Sequence, residues 1–257
     1  MRCEDVGEGE PEVAVVGSLH GDEPAGKKAI ERFLMDDHEV KKPVRLVIGN
    51  EKALHEGERY LEADLNRSFP GDPESDVREE RLAAKILDRV RGMKVLDIHS
   101  THSKPVPYGL AGDAEAETLE IVESAGVENF CYFREESGSL NEKVDGAVVE
   151  VGEQGTEEAA EMAYEILLNF LAEQGVIEAD SDSSSPEVYR YSETVRGGDW
   201  EFLAENFSRV EEGEVFARSG STELVTTETF YPVLMSTDGY SDILGHKAEK
   251  VDVRETS

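Results

Sequence analysis

His20 and Glu23 stand three residues apart in Gly17-Ser18-Leu19-His20-Gly21-Asp22-Glu23-Pro24, a Gly-rich turn that directly follows the apolar run at 13–16. An imidazole and a carboxylate at that spacing can share one metal ion. A third donor, His99, closes a second apolar run, Val95-Leu96-Asp97-Ile98. Two His and one Glu leave a fourth position on tetrahedral zinc open for water, the arrangement that catalytic zinc uses. Taken alone, a His and a Glu at this spacing also describe an ordinary surface pair. The Gly-rich turn and the second strand-ending His favour a centre with one zinc per chain, and the chemistry would be metal-assisted hydrolysis. His102 competes with His99 for the third place, although its position past the apolar run reads as loop. Asp97 is a candidate for orienting a ligand, with its direction left open.

Two further groups could do chemistry. Arg59-Tyr60-Leu61-Glu62-Ala63-Asp64-Leu65-Asn66-Arg67-Ser68-Phe69-Pro70-Gly71 carries two arginines and an asparagine. Guanidinium forks bind carboxylates at two points, and an amide adds a donor. Both arginines could equally answer their acidic neighbours Glu62 and Asp64. Glu150, in Val148-Val149-Glu150-Val151-Gly152, is a carboxylate inside an apolar strand. It either faces outward from a half-exposed strand or is a buried acid. In the second case desolvation raises its pKa toward the range a general base needs.

The elements that must position these groups are readable from pattern. Short β-branched runs at 13–18, 44–49 and 95–98 read as strands. Residues 24–35 place Ala25, Ala29, Ile30, Phe33 and Leu34 at helical spacing, with Pro24 near the first turn, where its missing N–H is harmless. Residues 75–91 repeat the pattern with Val77, Leu82, Ala83, Ile86, Leu87 and Val90. A helix over 114–124, strands at 130–133 and 147–151, and a long helix over 156–171 follow. This alternation predicts an α/β fold, a mainly parallel or mixed central sheet flanked by helices. His20 and Glu23 then fall at a strand's carboxyl end, where open α/β sheets bind ligands. Beyond this, Glu178-Ala179-Asp180-Ser181-Asp182-Ser183-Ser184-Ser185-Pro186 reads as a linker. Strand-like pieces at 188–195, 214–217, 223–227, 230–235 and 247–253 come after it. The division expected is a catalytic domain over 1–178, a linker over 179–186 and a small β-rich domain over 187–257.

Composition narrows the partners. The 257 residues hold 58 acidic and 26 basic side chains, a formal net charge of −32. Such a charge repels nucleic acid and anionic membranes, and no run is long and apolar enough to span a bilayer. A small-molecule substrate is the partner expected, and a monomer or a homo-oligomer would both suit the sequence. The acidic N-terminus lacks the apolar core of a secretory signal. Cys3 and Cys131 form neither a metal-spaced pair nor a disulfide framework. These features predict a cytoplasmic protein. Spread along the whole chain, the acids predict adaptation to high salt, where a Debye length of about 3 Å at 1 M screens self-repulsion.

With these motifs assembled, the chain resembles the succinylglutamate desuccinylase/aspartoacylase family of zinc carboxypeptidase-like amidohydrolases. The resemblance rests on Gly17-Ser18-Leu19-His20-Gly21-Asp22-Glu23, on residues 64–71, on Asp97-Ile98-His99 and on Glu150-Val151-Gly152, in the family's order. It implies zinc ligands His20, Glu23 and His99. It also implies that Glu150 is the general base and that Arg59 helps polarise the scissile carbonyl. Asn66 and Arg67 would bind the substrate's carboxylate, with Tyr240 a substrate-binding tyrosine of the small β domain. The expected activity is removal of an N-acyl group, acetyl or succinyl in type, from an amino acid or similar small amine.

The sequence departs from the aspartoacylase pattern in one place. The loop Ser139-Leu140-Asn141-Glu142-Lys143-Val144-Asp145-Gly146 lacks the Tyr and Arg that aspartoacylases use for an acidic substrate side chain, and Lys143 is its only cation. Two rival readings remain. A zinc carboxypeptidase acting on short peptides would need an open cleft, and a non-catalytic metal- or metabolite-binding protein would need no base.

Overall fold

The computed structural model describes residues 1–102, 106–133, 137–237 and 242–252. Strands β1 (Arg2–Val6) and β2 (Val13–Gly17) precede helix α1 (Ala25–Met35), followed by β3 (Val44–Ile48) and the short α2 (Glu51–Glu56). Helix α3 (Arg78–Val90) leads to β4 (Lys94–Thr101), β5 (Tyr108–Ala111), α4 (Ala116–Ser124) and β6 (Asn129–Tyr132). Then come β7 (Asp145–Glu153), α5 (Glu157–Glu173) and β8 (Glu187–Arg196). The last elements are β9 (Glu201–Phe202), β10 (Val215–Ser219), β11 (Thr222–Val225), β12 (Tyr231–Val233) and β13 (Ile243–Val251).

The large sheet has the order β1-β3-β2-β4-β7-β5-β6-β8-β13-β12, and β9, β10 and β11 form a small antiparallel sheet. Strands β3, β2, β4 and β7 are parallel to one another. Side chains alternate across a strand, and both faces here are apolar. Val13 and Val15 of β2 pack with α1 and α5, whereas Ala14 and Val16 pack with α3. Such two-sided burial is why the central strands read as unbroken apolar runs. Helix α3 meets the sheet through Leu82, Ala83, Ile86, Leu87 and Val90, the spacing of one helical face. Fully burying a side chain such as Ile86 contributes about 1.5–3 kcal/mol.

Helix α1 starts almost in contact with the end of β2. A Cβ on Gly17 would lie 2.7 Å from the carbonyl carbon of Gly26, so glycine is needed there for the approach. This closeness fixes where the turn carrying His20 and Glu23 leaves the sheet.

The elements differ from the sequence pattern in where α3 starts and in several short elements that the pattern does not show. Helix α3 begins at Arg78 instead of 75, because Ser75 is used in a turn: its N–H reaches Asp72 O and its hydroxyl accepts from Val77 N–H. The pattern does not show β1, β5, α2 or β9, since β1 is half polar and the others are only two to six residues long. The large sheet continues past residue 187, where the small β-rich domain is expected to begin. Strand β8 pairs in parallel with β6 and β13 and β12 extend the sheet further; among the described residues β9–β11 form a separate sheet. Residues 179–186 carry no helix or strand, yet they are tied to the body. Asp182 N–H reaches Asn169 Oδ1 and Ser184 Oγ reaches Val127 O. Their Ser-rich composition suits a solvated link but equally suits a strap hydrogen-bonded along the surface.

Candidate active site

The turn after β2 is built by its own hydrogen bonds. Ser18 takes a left-handed φ of 55°; its hydroxyl donates to Glu23 O and accepts from Lys27 N–H. Gly21 presses on α2, where a Cβ would come within 2.2 Å of the Ala53 carbonyl carbon, and its N–H donates to Arg59 O at 3.0 Å. This clamp leaves His20 and Glu23 pointing inward, each 3% exposed. Strand β4 lies beside β2 and delivers His99, 4% exposed, to the same place.

His20, Glu23 and His99 form a group whose ligand atoms all lie within 4.8 Å of one another. Glu23 is the shared member: Oε1 is 2.8 Å from His20 Nδ1 and Oε2 is 2.9 Å from His99 Nδ1. The outer ring nitrogens are held as well. His20 Nε2 is 3.0 Å from Asp64 Oδ1, and His99 Nε2 is 3.0 Å from Asp97 Oδ2. Asp97 and His99 thus share one face of β4, as a two-residue period requires. His102 is exposed and lies outside the group.

The electrostatics follow from this nesting. Burial favours neutral His99, but Asp97 and Glu23 outweigh it and raise its pKa well above the ordinary value. For His20 burial again lowers the pKa, and Glu23 with Asp64 raises it overall. Burial alone would raise Glu23, yet the two imidazoles hold it well below the usual carboxylate range. Burial would also raise Asp64, and His20 and Arg59 reverse that to a net lowering. The trio is therefore a place that gathers positive charge. Carboxylates at both Nε2 atoms fix the ring orientations and leave both Nδ1 atoms facing the Glu23 carboxylate, the arrangement seen around ligating histidines. Two imidazole nitrogens and a carboxylate suit a divalent transition metal.

The other expected residues fall into two sets. Arg59, 24% exposed at its side chain, places Nη1 2.9 Å from Glu23 Oε1 and Nε 3.4 Å from Asp64 Oδ2. Glu150 lies on β7 directly opposite His99 in the register. Burial pushes its carboxyl up to about 7, against the lowering effect of His99, and its Oε2 is a buried acceptor without a hydrogen-bond partner among the described residues. Asn66 is buried, with Oδ1 accepting from Leu140 N–H at 3.1 Å. Arg67 is exposed and donates from Nη1 to Asn66 O at 2.7 Å. Lys143 stands 3.7 Å from Glu142. Tyr240 lies outside the described residues.

Two residues of the site have no distinctive local signature. Asp64 was legible only as a local acid answering the arginines, although it meets His20. Glu79, buried at the start of α3, reads as a helix-starting acid, and the backbone amides it accepts from lie at 61–63.

Fold and donor set together define an α/β protein with a candidate metal centre at the carboxyl ends of parallel strands. The catalytic-domain model of the succinylglutamate desuccinylase/aspartoacylase family matches residues 9–173, and the chain belongs to that family. A probable aspartoacylase of Nostoc sp. is 30% identical over 162 residues, 54% of each chain. One of Acaryochloris marina is 35% identical over 102 residues, 35% of each chain. An N-acyl-aromatic-L-amino acid amidohydrolase of Xenopus laevis is 30% identical over 106 residues, 36% of this chain and 35% of the relative. The chain thus spans about a third to about half the length of these curated relatives. Among solved structures, a succinylglutamate desuccinylase/aspartoacylase from Rhodobacter sphaeroides superposes with a TM-score of 0.80 at 20% identity, covering 97% of this chain and 89% of that one. The product-bound ectoine utilization protein EutE (DoeB) from Ruegeria pomeroyi gives 0.78 at 19%, covering 96% and 88%. Both show the same fold.

Proposed function

We propose that this protein is a zinc-dependent amidohydrolase that removes an N-acyl group from an amino acid or similar small amine. His20, Glu23 and His99 would hold the metal, one per chain. Bound there, zinc would supply Lewis-acid polarisation of a carbonyl and a lowered pKa for water. Glu150 takes a proton from the attacking water and returns it to the amide nitrogen as the C–N bond breaks. The acyl group leaves as a carboxylic acid and the amino acid as its free amine. Arg59 donates from its guanidinium to the carbonyl oxygen as that oxygen gains charge, a preorganised interaction that strengthens toward the transition state. Asn66 and Arg67 hold the substrate's carboxylate.

The observation that carries this reading is Glu150. A pure metal binder gains nothing from a carboxyl opposite His99 that is raised to about 7 with one oxygen buried and unpartnered among the described residues. A base poised near neutral pH needs that environment. The loop at 139–146 offers only Lys143, which faces Glu142, so recognition of an acidic substrate side chain in the aspartoacylase manner has little support.

A panel of N-acetyl, N-succinyl and N-formyl amino acids, assayed for free amine at molar KCl with zinc, tests the reading. Release from at least one class, abolished by His99→Ala, is the expected result. Release of C-terminal residues from short unblocked peptides, with no cleavage of the panel, would favour a carboxypeptidase. Zinc binding with no cleavage of either would favour a non-catalytic binder.

A further inference from the structure

We propose that Glu79 is a positioning residue for Arg59, a role that rests on the amidohydrolase reading given above. Its side chain is fully buried at the start of α3. An acid in a first helical turn ordinarily faces solvent and answers the helix dipole. Here it turns toward the segment between Arg59 and Asp64. Oε1 accepts from Leu61 N–H at 3.2 Å, and Oε2 accepts from Glu62 N–H at 3.2 Å and Ala63 N–H at 3.4 Å. Asn50 Nδ2 and Arg78 Nη1 also donate to Oε1, at 3.4 and 2.9 Å.

All five partners are donors. Only an ionised carboxylate, which accepts at both oxygens, satisfies them together. The three amides it grips lie between Arg59, which touches Glu23, and Asp64, which touches His20. Asn50 extends the same network toward the metal group: its N–H donates to Ser18 O, and its Oδ1 accepts from Arg78 and from Ala53 N–H. One buried carboxylate therefore joins the turn after β2, the start of α3 and the loop bearing the guanidinium. The downstream clamp has separate anchors. Phe69 N–H donates to Gly138 O and Leu140 N–H donates to Asn66. Loss of Glu79 should release Arg59 more than it releases Asn66 and Arg67.

The test uses full-length, zinc-loaded Glu79→Gln, which sets an amide N–H against at least one of these donors. Deuterium uptake by the amides of 61–63 should quicken by tenfold or more, with zinc content unchanged. Misplacement of a catalytic group by about 1 Å can cost about 10²-fold, so kcat should fall about 10- to 100-fold with KM within about threefold. Placed on Arg59→Ala, the same change should cost less than about threefold, because two changes acting through one group do not multiply. Glu79→Asp keeps the charge and should recover part of the lost kcat; it also stands in if the Gln variant does not fold. Unchanged uptake at 61–63, or losses that multiply in the double variant, would overturn the assignment. If the wild type cleaves no N-acyl substrate, the functional reading fails. The uptake comparison then still decides whether Glu79 fixes the segment, and unchanged uptake refutes it.

Discussion

His20 Nε2 lies 3.0 Å from Oδ1 of Asp64, a residue 44 positions further along the chain. The same carboxylate accepts from Asn66 N–H and from Arg59 Nε. A single side chain therefore connects the His20 imidazole to the segment that carries Arg59, Asn66 and Arg67. Carboxylates in this position orient a ligating histidine and raise its basicity.

Replacing Asp64 by Asn keeps the shape and one acceptor oxygen but removes the charge. Zinc affinity should fall about 10- to 100-fold while the fold persists, as read by competition with a chromophoric chelator. Wild-type affinity in Asp64→Asn would detach this residue from the metal centre.

Glu79 makes a prediction about acid stability. Burial would raise its pKa, but the donors of Leu61, Asn50, Ala63 and Arg78 outweigh that and hold it below the usual value. A carboxyl with a depressed folded pKa stabilises the fold at pH values above its unfolded pKa, about 4.3. That contribution is lost as the pH falls through the folded value. The Tm of the wild type should exceed that of Glu79→Gln most at about pH 6, and the gap should narrow below about pH 4. A gap that stays constant or widens toward acid would contradict the account.

Much of the site was legible because its donors sit at strand ends within short motifs. His20 and Glu23 share one turn, and His99 closes an apolar run. Their convergence needs only that β2 and β4 be neighbours in a parallel sheet. Asp64 and Glu79 were not legible, because their roles come from segments brought together by packing and no spacing rule connects them. Asp97 was half legible: its type suited a partner for His99, and its direction came only with the 3.0 Å contact to His99 Nε2. Apart from the two-residue β9, the C-terminal strands were recognisable as strands, but their pairing was not. Nothing in residues 187–196 announces that β8 lies beside β6 instead of opening a new sheet.

A net charge of −32 implies self-repulsion that salt relieves. Thermal melts of the wild type should therefore shift upward between 0.1 M and molar KCl. A melting temperature that is flat or falls across the series would show that the acidic surface is not an adaptation to salt.

Arg67 is exposed beside buried Asn66, and the proposed function gives its guanidinium the substrate's carboxylate. Arg67→Lys keeps the charge and loses the two-pronged geometry, so kcat/KM should drop clearly on an N-acyl amino acid. On the same substrate amidated at its carboxylate the drop should be much smaller. Equal drops on both would place Arg67 in a structural role.

Glu150 tests the central claim most directly. Glu150→Gln is nearly isosteric and leaves His20, Glu23 and His99 untouched, so the fold and the zinc content should be unchanged. Turnover of the best N-acyl substrate should fall by about 10²- to 10⁴-fold, the usual contribution of a positioned acid–base group, with substrate binding retained through Asn66 and Arg67. A Gln variant that turns over at the wild-type rate would contradict the account, and one that loses its zinc would make Glu150 a ligand.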